Sequence, residues 1–290
     1  MFGDDVRRMA VSPDGEVLAA TSNDLPVGLW DARTGEHLWS IGGDGLTGFV
    51  SDIGWHPDGD ALALAVNPLD GADGTDAATV VVDRSGNVLS RLVEPSGVFL
   101  NSASFTGDGA SVMASRVSNR NDPEEAGLVV WDWRGERVRR VLRSRPLDLE
   151  PERDGTSLVA VHQIEGSAEV WDLADGAKTA TFRSSGSIYA VAFRPDGLQV
   201  AFAGADGTVG LGDPRTGATQ LVLRGHEASV SNLGYSPDGT RVASVGTDGV
   251  LRVWTLDLDE LIRLAEDRIT RRLSEDECRR WLHLDACPDR

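Results

Sequence analysis

The 290-residue chain carries 46 Asp and Glu against 28 Lys and Arg, a formal net charge of −18 that repels polyanions and excludes binding along a nucleic-acid phosphate backbone. Its 40% hydrophobic content suffices for one large core, but no run of about 18 apolar residues would cross a membrane as a helix, and residues 1–15 lack the apolar centre of a signal peptide. A cytoplasmic protein with no membrane partner is expected, and its only cysteines, Cys278 and Cys287, lie too near the C-terminus to staple the main body.

A turn acid followed by glycine recurs at Asp14, Asp58, Asp108, Asp154, Asp196 and Asp238, at spacings of 44, 50, 46, 42 and 42. Asp bonds its own backbone and Gly accepts positive φ, so each marks a tight turn between two short strands. A third strand then ends in a comparable dipeptide: Trp30-Asp31, Val82-Asp83, Trp131-Asp132, Trp171-Asp172, Gly212-Asp213 and Trp254-Thr255. Runs such as 188–193 (IYAVAF) and 198–202 (LQVAF) are apolar enough to be covered on both sides. Six such units, each unable to bury both of its faces alone, are expected to stack radially as the blades of an all-β propeller.

Copies two and three are lengthened between their second and third strands by residues 67–79 (NPLDGADGTDAAT) and 116–127 (RVSNRNDPEEAG). Both stretches are polar, unperiodic and rich in turn formers, hence surface loops. Sharing one connection in adjacent copies, they are expected to project side by side from one face. Asp70, Asp73 and Asp76 in the first and Arg116, Asn119, Arg120, Glu124 and Glu125 in the second are the candidate partner-binding residues. After Thr255 the pattern turns helical. Asp257 to Glu260 and Ser274 to Glu277 read as capping boxes, and Leu258, Leu261, Ile262, Ala265 and Ile269 share a helical face. Helices are expected over 258–271 and 275–282, dividing the chain into a repeat domain, 1–256, and a helical tail, 257–290.

With its near-regular period and recurring Trp-Asp dipeptides, the stretch from about residue 6 to 255 resembles the WD-repeat β-propeller family. The resemblance implies a tetrad of His, Ser or Thr, Asp and Trp that ties a blade together. Only the sixth copy matches at all four positions, with His226, Ser244, Asp248 and Trp254; the first keeps Asp24 and Trp30, and the fifth keeps Asp206 with Gly212 in place of Trp. It also implies that the first and last repeats share a blade, whereas here the sixth copy runs from its third strand directly into helix. Either residues upstream in a longer polypeptide supply the closing strand, with or without a seventh blade, or a six-bladed ring covers its last edge with the helix at 258–271. The ending LSEDECRRWLHLDACP is similar to tails that follow WD repeats in large bacterial signalling proteins with a STAND-type NTPase module.

No catalytic constellation emerges. The chain has neither a G-x-S-x-G elbow nor an H-E-x-x-H helix, and its single lysine, Lys178, begins an outer strand. Cys278, His283 and Cys287 lack the paired C-x2-C knuckle of a zinc site. The three-residue spacing of Asp70, Asp73 and Asp76 misses the calcium-loop pattern. His226, Ser244 and Asp248 have the composition of a hydrolase triad, but a tetrad between strands accounts for Trp254 as well. The expected function is a non-enzymatic scaffold or sensor that binds a protein or peptide across one face, with no cofactor. The alternative is a propeller hydrolase or lactonase-like enzyme holding a metal in its central channel; against it, the five histidines (His37, His56, His162, His226 and His283) do not recur at one repeat position.

Overall fold

The structure, a computed structural model, describes residues 6–22, 27–41, 48–68, 76–118, 126–142, 148–162, 165–268, 274, 276 and 278–282. Six antiparallel sheets follow one another in chain order. Sheet one is β1 (Val6–Val11), β2 (Val17–Ser22), β3 (Val27–Asp31) and β4 (His37–Ile41). Sheet two is β5 (Phe49–Trp55), β6 (Ala61–Asn67), β7 (Ala78–Asp83) and β8 (Val88–Val93). Sheet three is β9 (Val98–Phe105), β10 (Val112–Ser118), β11 (Gly127–Asp132) and β12 (Arg137–Leu142), and sheet four is β13 (Asp148–Pro151), β14 (Ser157–His162), β15 (Ser167–Asp172) and β16 (Lys178–Arg183). Sheet five is β17 (Ile188–Phe193), β18 (Val200–Gly204), β19 (Thr208–Gly212) and β20 (Thr219–Arg224), and sheet six has only β21 (Val230–Tyr235), β22 (Arg241–Gly246) and β23 (Leu251–Thr255).

The recurring turns are built alike. In each first-to-second-strand turn the glycine N–H donates to the carbonyl three residues back, at 2.7 to 3.0 Å, from Gly15 to Ser12 through Gly239 to Ser236. These six glycines have φ between +67° and +76°, a region that costs an L residue strain. At Gly197 the room a Cβ would take is filled by the Glu152 carboxylate of the neighbouring turn, a flexible side-chain end, so φ rather than space is what calls for glycine there.

Period-two alternation assigns the two faces of each sheet. Every residue of β6 is buried: Leu62, Leu64 and Val66 pack with Val27 and Leu29 of sheet one, while Ala61, Ala63 and Ala65 pack with Leu100, Ala103 and Phe105 of sheet three. Each fully buried Leu of this kind contributes about 2 to 3 kcal/mol. Equivalent cores join sheets three and four, four and five, and five and six. The run 200–202 is buried as its composition predicts, but Leu198 falls in the turn and is exposed.

Sheet six passes into α1 (Leu258–Arg268). Asp257 caps this helix, its carboxylate accepting from the Glu260 N–H at 2.7 Å. Glu260 does not close the expected capping box; it reaches back to Arg241 of β22 at 2.6 Å and ties the helix to the sheet. The expected apolar stripe does not dock, since Leu258, Leu261 and Ile262 are exposed, and the helix leaves Leu251 and Val253 of β23 exposed too. Residues 269–271 lie outside the described residues. The second expected helix is a π-helical turn, Cys278–Leu282, opened by the Cys278 N–H bonding the Ser274 carbonyl at 2.9 Å.

Candidate interaction surface

Because the strands are antiparallel, the turns after the first and third strands of each sheet share one end of the array, and the connections after the second and fourth strands share the other. The two insertions open from that second end, but their boundaries need correction. Strand pairing runs further into them than their composition predicts: Asn67, Ala78, Thr79, Gly127 and residues 116–118 all belong to strands. Arg116 is therefore not a loop residue. It sits in β10, paired with Gly127, with its side chain 11% exposed. Asp76 is exposed just before β7. Asp70, Asp73, Asn119, Arg120, Glu124 and Glu125 lie outside the described residues.

Two buried polar contacts weld the stems of these connections together. At the end of β6, Asn67 presents its side-chain amide to the backbone of Leu100 in β9, accepting from the Leu100 N–H at 2.8 Å and donating to its carbonyl at 2.8 Å. One side chain thus replaces a stretch of backbone pairing between sheets two and three, and Ser51 adds a bond to the same carbonyl at 2.7 Å. Above it, Arg116 Nη2 meets Glu94 Oε2 at 2.5 Å. Glu94 follows β8, and its N–H bonds the carbonyl of Ala77, at the stem of the first insertion, at 2.8 Å. The ion pair therefore joins the base of one insertion to the base of the next. Desolvation of the Glu94 carboxyl raises its pKa, and the Arg116 charge only partly offsets this. Neither Asn67 nor Glu94 is singled out by the sequence. A buried acid opposite a strand arginine has no local signature when its partner lies 22 positions away.

In sheet six, His226, Ser244, Asp248 and Trp254 come together. Trp254 Nε1–H donates to Ser244 Oγ at 2.9 Å, and Ser244 Oγ lies 2.8 Å from His226 Nε2. His226 Nδ1 is 3.0 Å from Asp248 Oδ2, and the Glu227 N–H donates to the same oxygen at 3.1 Å. A proton on Nδ1, facing the carboxylate, lets each group donate to the next. Desolvation pushes the Asp248 pKa up, but hydrogen bonds from the Val250 and Glu227 backbones and from His226 outweigh it and leave it lowered. The His226 side chain is fully buried and Ser244 nearly so, which closes this triad-like set to any substrate. Gly246 is part of the arrangement: a Cβ there would stand 2.4 Å from Asp248 and 2.5 Å from His226.

Other sheets fill the corresponding space differently. In sheet five, Phe202 stacks on Phe182 at 5.1 Å, and the Phe182 ring occupies the room left by Gly212. Asp206 remains, accepting from Ser184, Ser185 and Thr208. In sheet four Glu169 is the hub, bonded to His162 at 3.1 Å, Trp171 Nε1 at 3.2 Å and Lys178 Nζ at 2.8 Å. The bond to His162, with that to Lys178, lowers its pKa to about 2 against the cost of burial. Asp24 lies outside the described residues, while Trp30 packs edge-on against His37.

First strands of sheets one, four, five and six line a common cavity of about 380 Å³, with Arg8, Glu150, Tyr189 and Asn232 on its wall. Among the described residues, no three His, Cys, Asp or Glu side chains gather closely enough to share a metal ion. Cys278 is buried, and His283 and Cys287 lie outside the described residues.

Residues 176–211 and 217–255 match the family model for the WD domain, G-beta repeat. The match spans the tetrad of sheet six and most of sheet five. No curated protein matches the chain. The matched repeats and the six stacked sheets give this chain the fold of a WD-repeat β-propeller.

Proposed function

We propose that the chain is a non-enzymatic scaffold or sensor module of a bacterial signalling protein, working in the cytoplasm and binding a partner protein or peptide across its loop end. Propellers with these repeats typically serve as interaction modules, and the net charge of −18 favours a protein over a nucleic acid. One observation carries the choice of face. Asn67 and the Glu94–Arg116 pair fix the stems of two adjacent insertions to one rigid wall, so both insertions leave the sheets from one firm base. The tail's likeness to STAND-type proteins supports an effector segment in the same polypeptide.

The test replaces 69–75 and 119–125, singly and together, by short Gly-Ser turns and compares capture of partners from the native cell extract. A turn-end variant, Arg84→Ala, serves as the control. The expected result is a protein retained by the wild type and by the control but lost with the double replacement, at unchanged melting temperature. Undiminished capture by the double replacement would refute the assignment of this face.

A further inference from the structure

The rim of sheet three carries charge opposite to that of the chain as a whole. Residues 134–145 (RGERVRRVLRSR) hold six arginines and one acid, in a chain whose formal net charge is −18. The run begins in the turn before β12 and takes in the whole of that strand. Among the described residues β12 pairs with β11 alone and forms the outer edge of its sheet, so its outward backbone N–H and C=O groups have no ladder partner.

Two of the arginines converge. Arg137 Nε and Arg139 Nη2 each lie 3.4 Å from the same oxygen, Asp132 Oδ2, and their side chains are 73% and 48% exposed. Among the described residues neither meets a second carboxylate, so two guanidinium charges share one anion. Arg134 adds a third charge, lying over the Trp133 ring at 4.1 Å without an acid beside it among the described residues. Exposed guanidinium forks of this kind are suited to a further carboxylate.

Protection of a bare edge against aggregation does not account for the charge. All five outer strands already carry a bulge beside the third strand of their sheet. The outer strands β4, β8, β16 and β20 have no more than two Lys or Arg each, whereas β12 has three within residues 137–140. A second copy of the chain supplies no matching edge either: β4, β8, β16 and β20 contain no Asp or Glu, and β12 against β12 sets arginine against arginine. A short acidic segment stays within the basic run, where screening limits repulsion from outlying acids to about 8 Å. A nucleic-acid strand continuing past the run meets those acids directly.

We propose that the β12 edge docks an acidic, extended segment of a partner protein, whose backbone continues the ladder of sheet three and whose carboxylates meet Arg137 and Arg139. This rim is a different surface from the loop end, and failure of either assignment leaves the other standing.

The probe is the fluorescently labelled peptide acetyl-EVEVEVEV-amide, whose alternation sets every carboxylate on one side of an extended strand, titrated into the full chain by anisotropy. Saturable one-to-one binding is expected, weakening as salt rises, with slowed hydrogen exchange of the β12 amides. The neutral peptide acetyl-QVQVQVQV-amide should bind at least about tenfold more weakly, and so should the acidic peptide with Arg137→Gln/Arg139→Gln. Arg33→Gln, an exposed arginine in a turn of sheet one, should change nothing. Circular dichroism checks the fold of each variant, and the neutral peptide and salt series decide the question on the wild type alone. Equal binding of the two peptides would overturn recognition by charge. Binding without slowed exchange in β12 would overturn the edge as the site, and no saturable binding up to about 1 mM would overturn docking itself. Oligouridine that binds more tightly than the acidic peptide, and is lost with the same double variant, would overturn a protein partner in favour of nucleic acid.

Discussion

Ser244→Ala removes the middle of the polar relay in sheet six while deleting a single oxygen. In the wild type that oxygen accepts from Trp254 Nε1 at 2.9 Å and serves His226 Nε2 at 2.8 Å. Each buried polar atom left without a partner costs about 1 to 3 kcal/mol. The His226 side chain is fully buried and keeps the whole penalty, whereas Trp254 is partly exposed and recovers some of its bond from water. The expected loss is about 2 to 4 kcal/mol, localised to sheet six. A propeller of stacked sheets need not unfold in one step, so the measurement is native-state hydrogen exchange of the β22 and β23 amides alongside urea unfolding. Protection of those amides should fall by that amount while sheets one to three keep theirs. A double-mutant cycle with Trp254→Phe should return a coupling of about 0.5 kcal/mol or more. A loss below about 0.5 kcal/mol, or additive effects of the two changes, would show that the four residues are neighbours without being a network.

Gly246→Ala adds only a methyl group, but its Cβ would stand 2.4 Å from Asp248 and 2.5 Å from His226; differential scanning calorimetry should show a drop in melting temperature comparable to that of Ser244→Ala. Arg116→Leu alone leaves the buried Glu94 carboxyl unpaired and should cost about 3 to 5 kcal/mol in urea unfolding, whereas Glu94→Leu with Arg116→Leu should recover most of it. Leu64→Ala, in the joint of sheets one and two, should cost about 2 to 5 kcal/mol in the same assay. Glu169 has its pKa lowered from 4.5 to about 2 in the folded state. Its contribution to stability is therefore present above pH 4.5 and lost as pH falls from there towards 2. An acid titration of stability should be shallower over that window for Glu169→Gln.

The repeat turns were the most legible part of the sequence, because Asp-Gly chemistry is local and each of the six turns closes on its own glycine N–H. Asp257 as a helix cap was legible for the same reason. Strand ends at the insertions were not. The sequence 116–118 is as polar as a loop, yet Arg116 pairs with Gly127 across the ladder and its charge is met by Glu94 from the next sheet. A residue's own chemistry cannot announce a partner that arrives from another sheet. The same reason hid Glu169 as a hub: its environment is His162 one strand away and Lys178 on the next strand. The apolar stripe of α1 misled in the opposite direction, since amphipathic spacing records that a helix has a face to bury and not where that face goes.

The two ends of the array also differ in how much variation they tolerate. At the turn end, neighbouring copies interlock: the space above Gly197 is filled by Glu152 of the preceding turn, and Arg84 of sheet two bonds Asp14 of sheet one at 2.6 Å. An inserted residue there would displace its neighbour as well as itself. At the loop end the two insertions are anchored below by contacts between sheets, Asn67 with Leu100 and Glu94 with Arg116, so chain can be added beyond the anchors at the modest entropic cost of a longer loop. Insertions in copies two and three occupy the end where length is cheap and the base is rigid.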